Sequence, residues 1–244
     1  MPSARLLAPA LLLACLPLSG ATAQAQTADR ARAAAEIESL REQIKAREAT
    51  LLAPSDEDRK AYAEFLARPD TGLVRLLPRE KWEKKLTLRG GGAYYSFTLR
   101  TNEYGHGSDI QLEQGQFSVG FAGADFGFMT DLGDVPLEAV STETEAVRFM
   151  AGFEAPAAET QARQAGRQFY PARHEGMWNY VRSLYATPGR TYALRSVVYD
   201  ESDVLVAFRV LRKDDDGSFV LLWKILQKYP TPSLQRSVDA EAEQ

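Results

Sequence analysis

The chain has 244 residues, with 29 Lys and Arg against 33 Asp and Glu for a formal net charge of −4. No long basic run breaks that acidic balance, which removes nucleic acid from the expected partners. The single cysteine, Cys15, lies in an N-terminal apolar run, so the remainder of the chain offers no disulfide framework, thiolate nucleophile or cysteine-based zinc site.

Residues 1–23 read as a secretory signal peptide. Arg5 supplies the positive start, Leu6 to Leu13 the apolar run, and Ala21-Thr22-Ala23 a small-residue cleavage site, with Ala23-Gln24-Ala25 as a second. Pro9 and Pro17 break the run, and it falls short of the roughly 20 apolar residues a transmembrane span requires. The expected location is therefore outside the cytoplasm, periplasmic or secreted. The alternative is a lipid anchor, because Leu12-Leu13-Ala14-Cys15 resembles the bacterial lipoprotein processing motif, although Leu13 is bulky for that motif and Leu16-Pro17 is an unusual mature start.

Residues 24–53 form a helical segment. Ile37, Leu40, Ile44 and Leu51 fall on one stripe with a heptad rhythm, and Arg47 stands where another seam residue is due, so helix-mediated self-association is open while a long coiled coil is excluded. Pro54 stops the helix. Ser55 then caps a second one, with Asp58 at the capping-box position, running through Ala61, Phe65 and Leu66 to Pro69-Asp70-Thr71-Gly72.

A single domain is expected over residues 55–230. From Leu73 the pattern turns to short alternating runs, predicting strands at 84–89, 93–100, 109–113, 116–122 and 125–130. In the clearest of them Phe117, Val119 and Phe121 share one face and Ser118, Gly120 and Ala122 the other, a face small enough for another element to approach closely. In residues 135–172 Val147, Phe149 and Phe153 fit a strand as well as a helix while the Glu-, Ala- and Gln-rich 157–168 fits a polar helix, and helices joined by a turn at Pro156 are the expectation; residues 175–186 read as a further helix with Met177, Val181 and Leu184 on one stripe, ended by Thr187-Pro188-Gly189.

The strongest pattern comes last: an antiparallel meander with strands at about 190–199, 204–212 and 218–228. Gly217 suits the hairpin turn after Asp214-Asp215-Asp216, and the oxygen ligands and terminal Glu of a calcium loop are missing. Residues 231–244 read as a polar tail that frays. The fold class is α+β: N-terminal helices, then a mainly antiparallel sheet or incomplete barrel with covering helices, ending in the meander.

Chemistry is sparsely signalled. The nucleophile-elbow, zincin, P-loop and dinucleotide-binding motifs are absent, and Gly90-Gly91-Gly92 has no lysine to reach a phosphate. His106, Ser108 and Asp109 are the catalytic candidates, since a histidine between glycines stands beside a hydroxyl and a carboxylate. His174 reads as a helix-entry residue, and Asp125, Asp131 and Asp134 do not make a metal site with histidines so far apart in sequence; neither metal nor cofactor is expected.

In the meander, Val204, Val206, Phe208 and Val210 share the core face with Phe219, Leu221, Trp223 and Ile225. The other face carries Arg195, Arg209 and Lys224 as ligand-binding candidates. A three-residue loop at 201–203 sets Arg195 directly across from Arg209, and like charges so placed want a carboxylate of the protein or an anionic ligand. The expected function is an exported, non-enzymatic binding or structural module holding an acidic amphipathic small molecule or meeting an envelope protein. The alternative is a small exported hydrolase using His106 as general base.

Overall fold

The computed structural model describes residues 19–105 and 107–236, with side chains from residue 26 onward. Residues 1–18 of the signal-peptide reading, Cys15 among them, and His106 lie outside the described residues. The chain divides into two units, residues 1–45 and residues 46–244. Helix α1 (Ser19–Leu52) makes up the described part of the first and its last two turns belong to the second. No helix among the described residues is long and apolar enough to cross a membrane.

In the second unit the Ser55 cap forms as expected: its hydroxyl oxygen accepts from the Asp58 amide and its hydroxyl donates to the Asp58 carboxylate, opening α2 (Asp56–Ala61), followed by α3 (Ala63–Leu66). The chain continues through β1 (Thr71–Leu76), α4 (Arg79–Trp82), β2 (Tyr94–Tyr95), β3 (Ile110–Glu113), β4 (Gln116–Ser118) and β5 (Phe126–Gly133). Then come α5 (Glu145–Ala151), α6 (Glu159–Arg167), β6 (Arg173–Glu175), β7 (Trp178–Tyr180) and β8 (Ser183–Tyr185), and last the meander β9 (Thr191–Val198), β10 (Ser202–Lys213) and β11 (Phe219–Lys228).

Three layers result. A five-stranded antiparallel sheet of order β1-β11-β10-β9-β5 lies in the middle. One face meets the smaller sheet β2-β3-β4-β8, and between them lies the core face expected for the meander: Val206, Phe208, Leu221 and Trp223 against Tyr95, Phe97, Ile110 and Phe117. Its other face, carrying Val197, Leu205, Ala207 and Leu222, is covered by α5, α6 and the 3-10 turn Leu137–Ala139, through Leu137, Val147, Met150, Ala162 and Phe169. Burial on both faces accounts for the nearly unbroken apolar runs of β9 and β10.

Several sequence expectations are corrected. Residues 84–89 are turns, because Gly90, Gly91 and Gly92 all take left-handed φ (+77°, +63°, +74°) and coil the chain back; a Cβ on Gly91 would sit 2.5 Å from the Glu83 backbone nitrogen. The strand expected at 93–100 pairs with β3 over Tyr94–Tyr95 and then folds into a turn closed by the Ser96–Thr101 bridge, and that at 116–122 stops at Ser118, since Gly120 (φ +74°) turns the chain against the Phe126 backbone. Residues 175–186 are strands rather than a helix. Gly176 (φ +60°) makes the β6–β7 hairpin, and Met177 and Tyr185, which a helix would have buried, are 78% and 71% exposed. Strand β1 had no sequence signal beyond its apolar residues and is recruited by β11. Residues 231–236, expected to fray, are docked: Gln235 exchanges backbone hydrogen bonds with Ala157 and Glu159.

Candidate functional site

The meander places Arg195 and Arg209 on the same face but not opposite each other. The hairpin loop is 199–201 rather than 201–203, so Arg195 pairs with Leu205 and Arg209 with Thr191. Each cation has partners within the chain. Arg195, 1% exposed, makes a bidentate pair with Asp203 (2.6 and 2.8 Å), donates to the carbonyls of Met150 and Phe153, and lies over the Tyr229 ring. Arg209 pairs with Asp134 at 2.6 Å and donates to the Val135 carbonyl, while Lys224 donates to the Glu138 carbonyl.

Ser108 and Asp109 serve their own loop. The Ser108 hydroxyl donates to the Glu103 carbonyl and accepts from the Gly105 amide. Asp109, fully buried, accepts from the Phe97 amide at 2.8 Å and from the Ser96 hydroxyl, holding the 96–101 turn. Its Oδ1 lacks a hydrogen bond of good geometry, although the Ser196 hydroxyl and Thr98 amide lie close enough to favour the charged form. Burial outweighs these donors and pushes the carboxyl up to about 6. His174 stands in β6, its Nδ1 2.5 Å from the Asn179 side-chain oxygen. Asp125 accepts from the Tyr199 amide, Asp131 pairs with Arg190, and no group of three metal-ligating side chains forms among the described residues.

The open site lies elsewhere, around the loop 119–125 that follows β4. A cleft of about 520 Å³ is bounded by α4, the 89–94 segment, Tyr104, the Gly120-Phe121 turn and Arg182. Its apolar wall is aromatic: Tyr94 lies 4.6 Å from Tyr104 and 5.2 Å from Phe121, centroid to centroid. Arg89 stacks on Tyr104 at 4.9 Å, and the Tyr104 amide donates to the Arg89 carbonyl, tying the two segments together. Arg79, over Tyr94 at 5.9 Å, is paired with Glu83 (2.9 Å) and Glu113 (3.6 Å).

Arg182 is held by backbone. The segment between β7 and β8 pairs Val181 with Met129 and gives the Arg182 carbonyl to the Val119 amide; Nη2 then donates to the Gly120 carbonyl at 2.8 Å, while Nε is buried without a hydrogen bond. Among the described residues neither Arg89 nor Arg182 has a carboxylate within ion-pair distance. Two smaller cavities share the Gly120-Phe121 wall, one of about 150 Å³ reaching Ser108 and Ser196, the other of about 300 Å³ reaching Arg163 and Arg167 on α6.

Such a cleft can hold an anion and stack a flat group beside it. Reading the sequence missed it because Arg79, Arg89, Tyr94, Tyr104, Phe121 and Arg182 are dispersed over a hundred positions; the one local sign was the small face of Ser118, Gly120 and Ala122, read as a close contact. That contact exists at Gly120, and the same residues line the cavities. Comparison of the chain with protein-family models, with curated proteins and with solved structures finds no match.

Proposed function

We propose that the protein is an exported, non-enzymatic binding module whose arginine and aromatic cleft takes an acidic small molecule carrying a flat apolar part. The ligand class is the one expected from composition and pattern; the site moves from Arg195, Arg209 and Lys224, which the chain itself occupies, to the cleft. The carrying observation is the pair Arg89 and Arg182, without carboxylate partners among the described residues and opening onto Tyr94, Tyr104 and Phe121. Export rests on the leader-like residues 1–23.

Isothermal titration with naphthalene-1-sulfonate and phenyl phosphate tests the reading, alongside native mass spectrometry of protein taken from its own envelope. Replacing both Arg89 and Arg182 with Gln is expected to weaken binding at least about tenfold, since a charge-assisted hydrogen bond contributes about 1.5–3 kcal/mol. Arg209→Gln is expected to leave binding unchanged, and added salt to weaken it. Equal affinity of wild type and the double variant would overturn the assignment.

A further inference from the structure

Every residue from 26 to 47 of α1 is exposed, including three large apolar side chains in succession: Ile37 and Leu40 at 50% and Ile44 at 42%. Their spacing of three and four makes Ile37 and Ile44 successive a positions and Leu40 the d position between them, with Ala33 at the preceding d. Further along, Leu52 is buried and Leu51 half-buried in the second unit, so the free seam ends at Ile44, and Arg47 at the next d closes it. A single exposed helix of this length is marginal in water, and a seam of this kind is stabilised by a facing helix.

We infer that α1 pairs in parallel with α1 of a second copy of this chain through the Ala33–Ile44 seam. The residue types select the stoichiometry: Ile at a with Leu at d favours two parallel strands. The flanking charges select the partner and its direction. Glu36 is at g and Arg41 at the e position five residues on, so in a parallel pair Glu36 of each copy meets Arg41 of the other, twice by symmetry. An antiparallel pair centred on Leu40 would instead bring the two Arg41 side chains together. Within one chain Arg41 already pairs with exposed Glu38 at 2.6 Å, a contact weak enough to be shared with the facing helix.

Sedimentation velocity of the purified protein over a wide concentration range tests this. The expected result is a reversible shift from one chain to two. Ile37→Ser with Ile44→Ser is expected to leave only one chain while the melting temperature at low concentration stays unchanged, because both side chains are exposed in the single chain. Glu36→Arg and Arg41→Glu are each expected to raise the dissociation constant about tenfold, turning two attractions into two repulsions, and the combined variant to restore it. A chain that stays single at all concentrations, a dimer that survives the seam variant, or a dimer indifferent to the charge exchange would each overturn the proposal.

Discussion

Arg195 and Asp203 form an ion pair taken almost wholly out of water, with side chains 1% and 4% exposed. Desolvation outweighs the pairing and leaves Asp203 above the ordinary carboxylate value, yet the geometry is complete, since the guanidinium also donates to the Met150 carbonyl in the last turn of α5 and to the Phe153 carbonyl just beyond it. The pair thereby ties β9, β10 and the helical layer together. Removing one partner strands the other: Arg195→Gln is expected to cost about 3–5 kcal/mol in chemical denaturation, with no recovery on adding phosphate or fatty acids. Arg195→Met combined with Asp203→Leu is expected to recover most of that loss, because an apolar pair of similar volume carries no desolvation cost. A loss below about 1 kcal/mol in the single variant would mean that this contact does not hold the layers. The composition of this face, three cations among leucines and valines, was legible in the sequence; the identity of the carboxylate was not, because a shift of loop position along β10 changes which residues face each other.

At the scale of elements, β1 and β11 show how packing recruits a strand that pattern alone does not mark. Gly72 stands directly across from Trp223, and a Cβ added there would meet the indole at 2.3 Å. The missing side chain is what lets Trp223, fully buried, lie against Phe97 at 5.4 Å and Tyr95 at 6.0 Å between the two sheets. Trp223→Ala is expected to cost about 3–5 kcal/mol. Gly72→Ala is expected to cost about 1–3 kcal/mol by overpacking, and much less in the Trp223→Ala background, where the clash is gone. Strictly additive losses would show that the two residues do not share this contact. Elements with one unambiguous local signal, the Ala-, Glu- and Arg-rich composition of α1 and the alternation of the meander, were readable from sequence for the same reason that β6 to β8 were not. Residues 175–186 place apolar side chains at spacings that a helix stripe and three two-sided short strands satisfy equally well, and only the neighbouring β4 and β5 decide between them.

For the molecule as a whole, two opposed groups of carboxylates shape stability against pH. Asp58 is held below its ordinary value chiefly by hydrogen bonds from Arg212, which join α2 to β10; that contribution is present above pH 3.8 and is lost as pH falls further. Asp109 acts in the other direction. Its carboxyl, raised by burial from 3.8 to about 6, binds a proton more readily in the folded chain than in the unfolded one, so stability declines as pH rises from about 4 to 6, by about 3 kcal/mol. Asp203, also raised by burial, adds to that decline. Melting temperature is therefore expected to peak at about pH 4 and to fall toward neutrality, and Asp109→Asn to flatten the fall while leaving the acid limb in place. A wild-type melting temperature that climbs steadily from pH 4.5 to 7 would contradict the assignment to Asp109.

Local patterning by itself determined the long first helix, the Ser55 cap, the meander with its core face and the α+β class, because each of these is written in residues close together in the chain. Tertiary structure alone decided the second buried face of the central sheet, the partners of Arg195 and Arg209, and the cleft. Arg89, Tyr104, Phe121 and Arg182 carry no periodicity and no motif. They become neighbours only when three left-handed glycines turn the 84–92 segment back, Asp109 holds the 96–101 turn, and Met129 and Val119 fix the segment between β7 and β8 that bears Arg182. A binding surface assembled from loops depends on where the sheets set the ends of those loops, and that information is not local to any stretch of sequence.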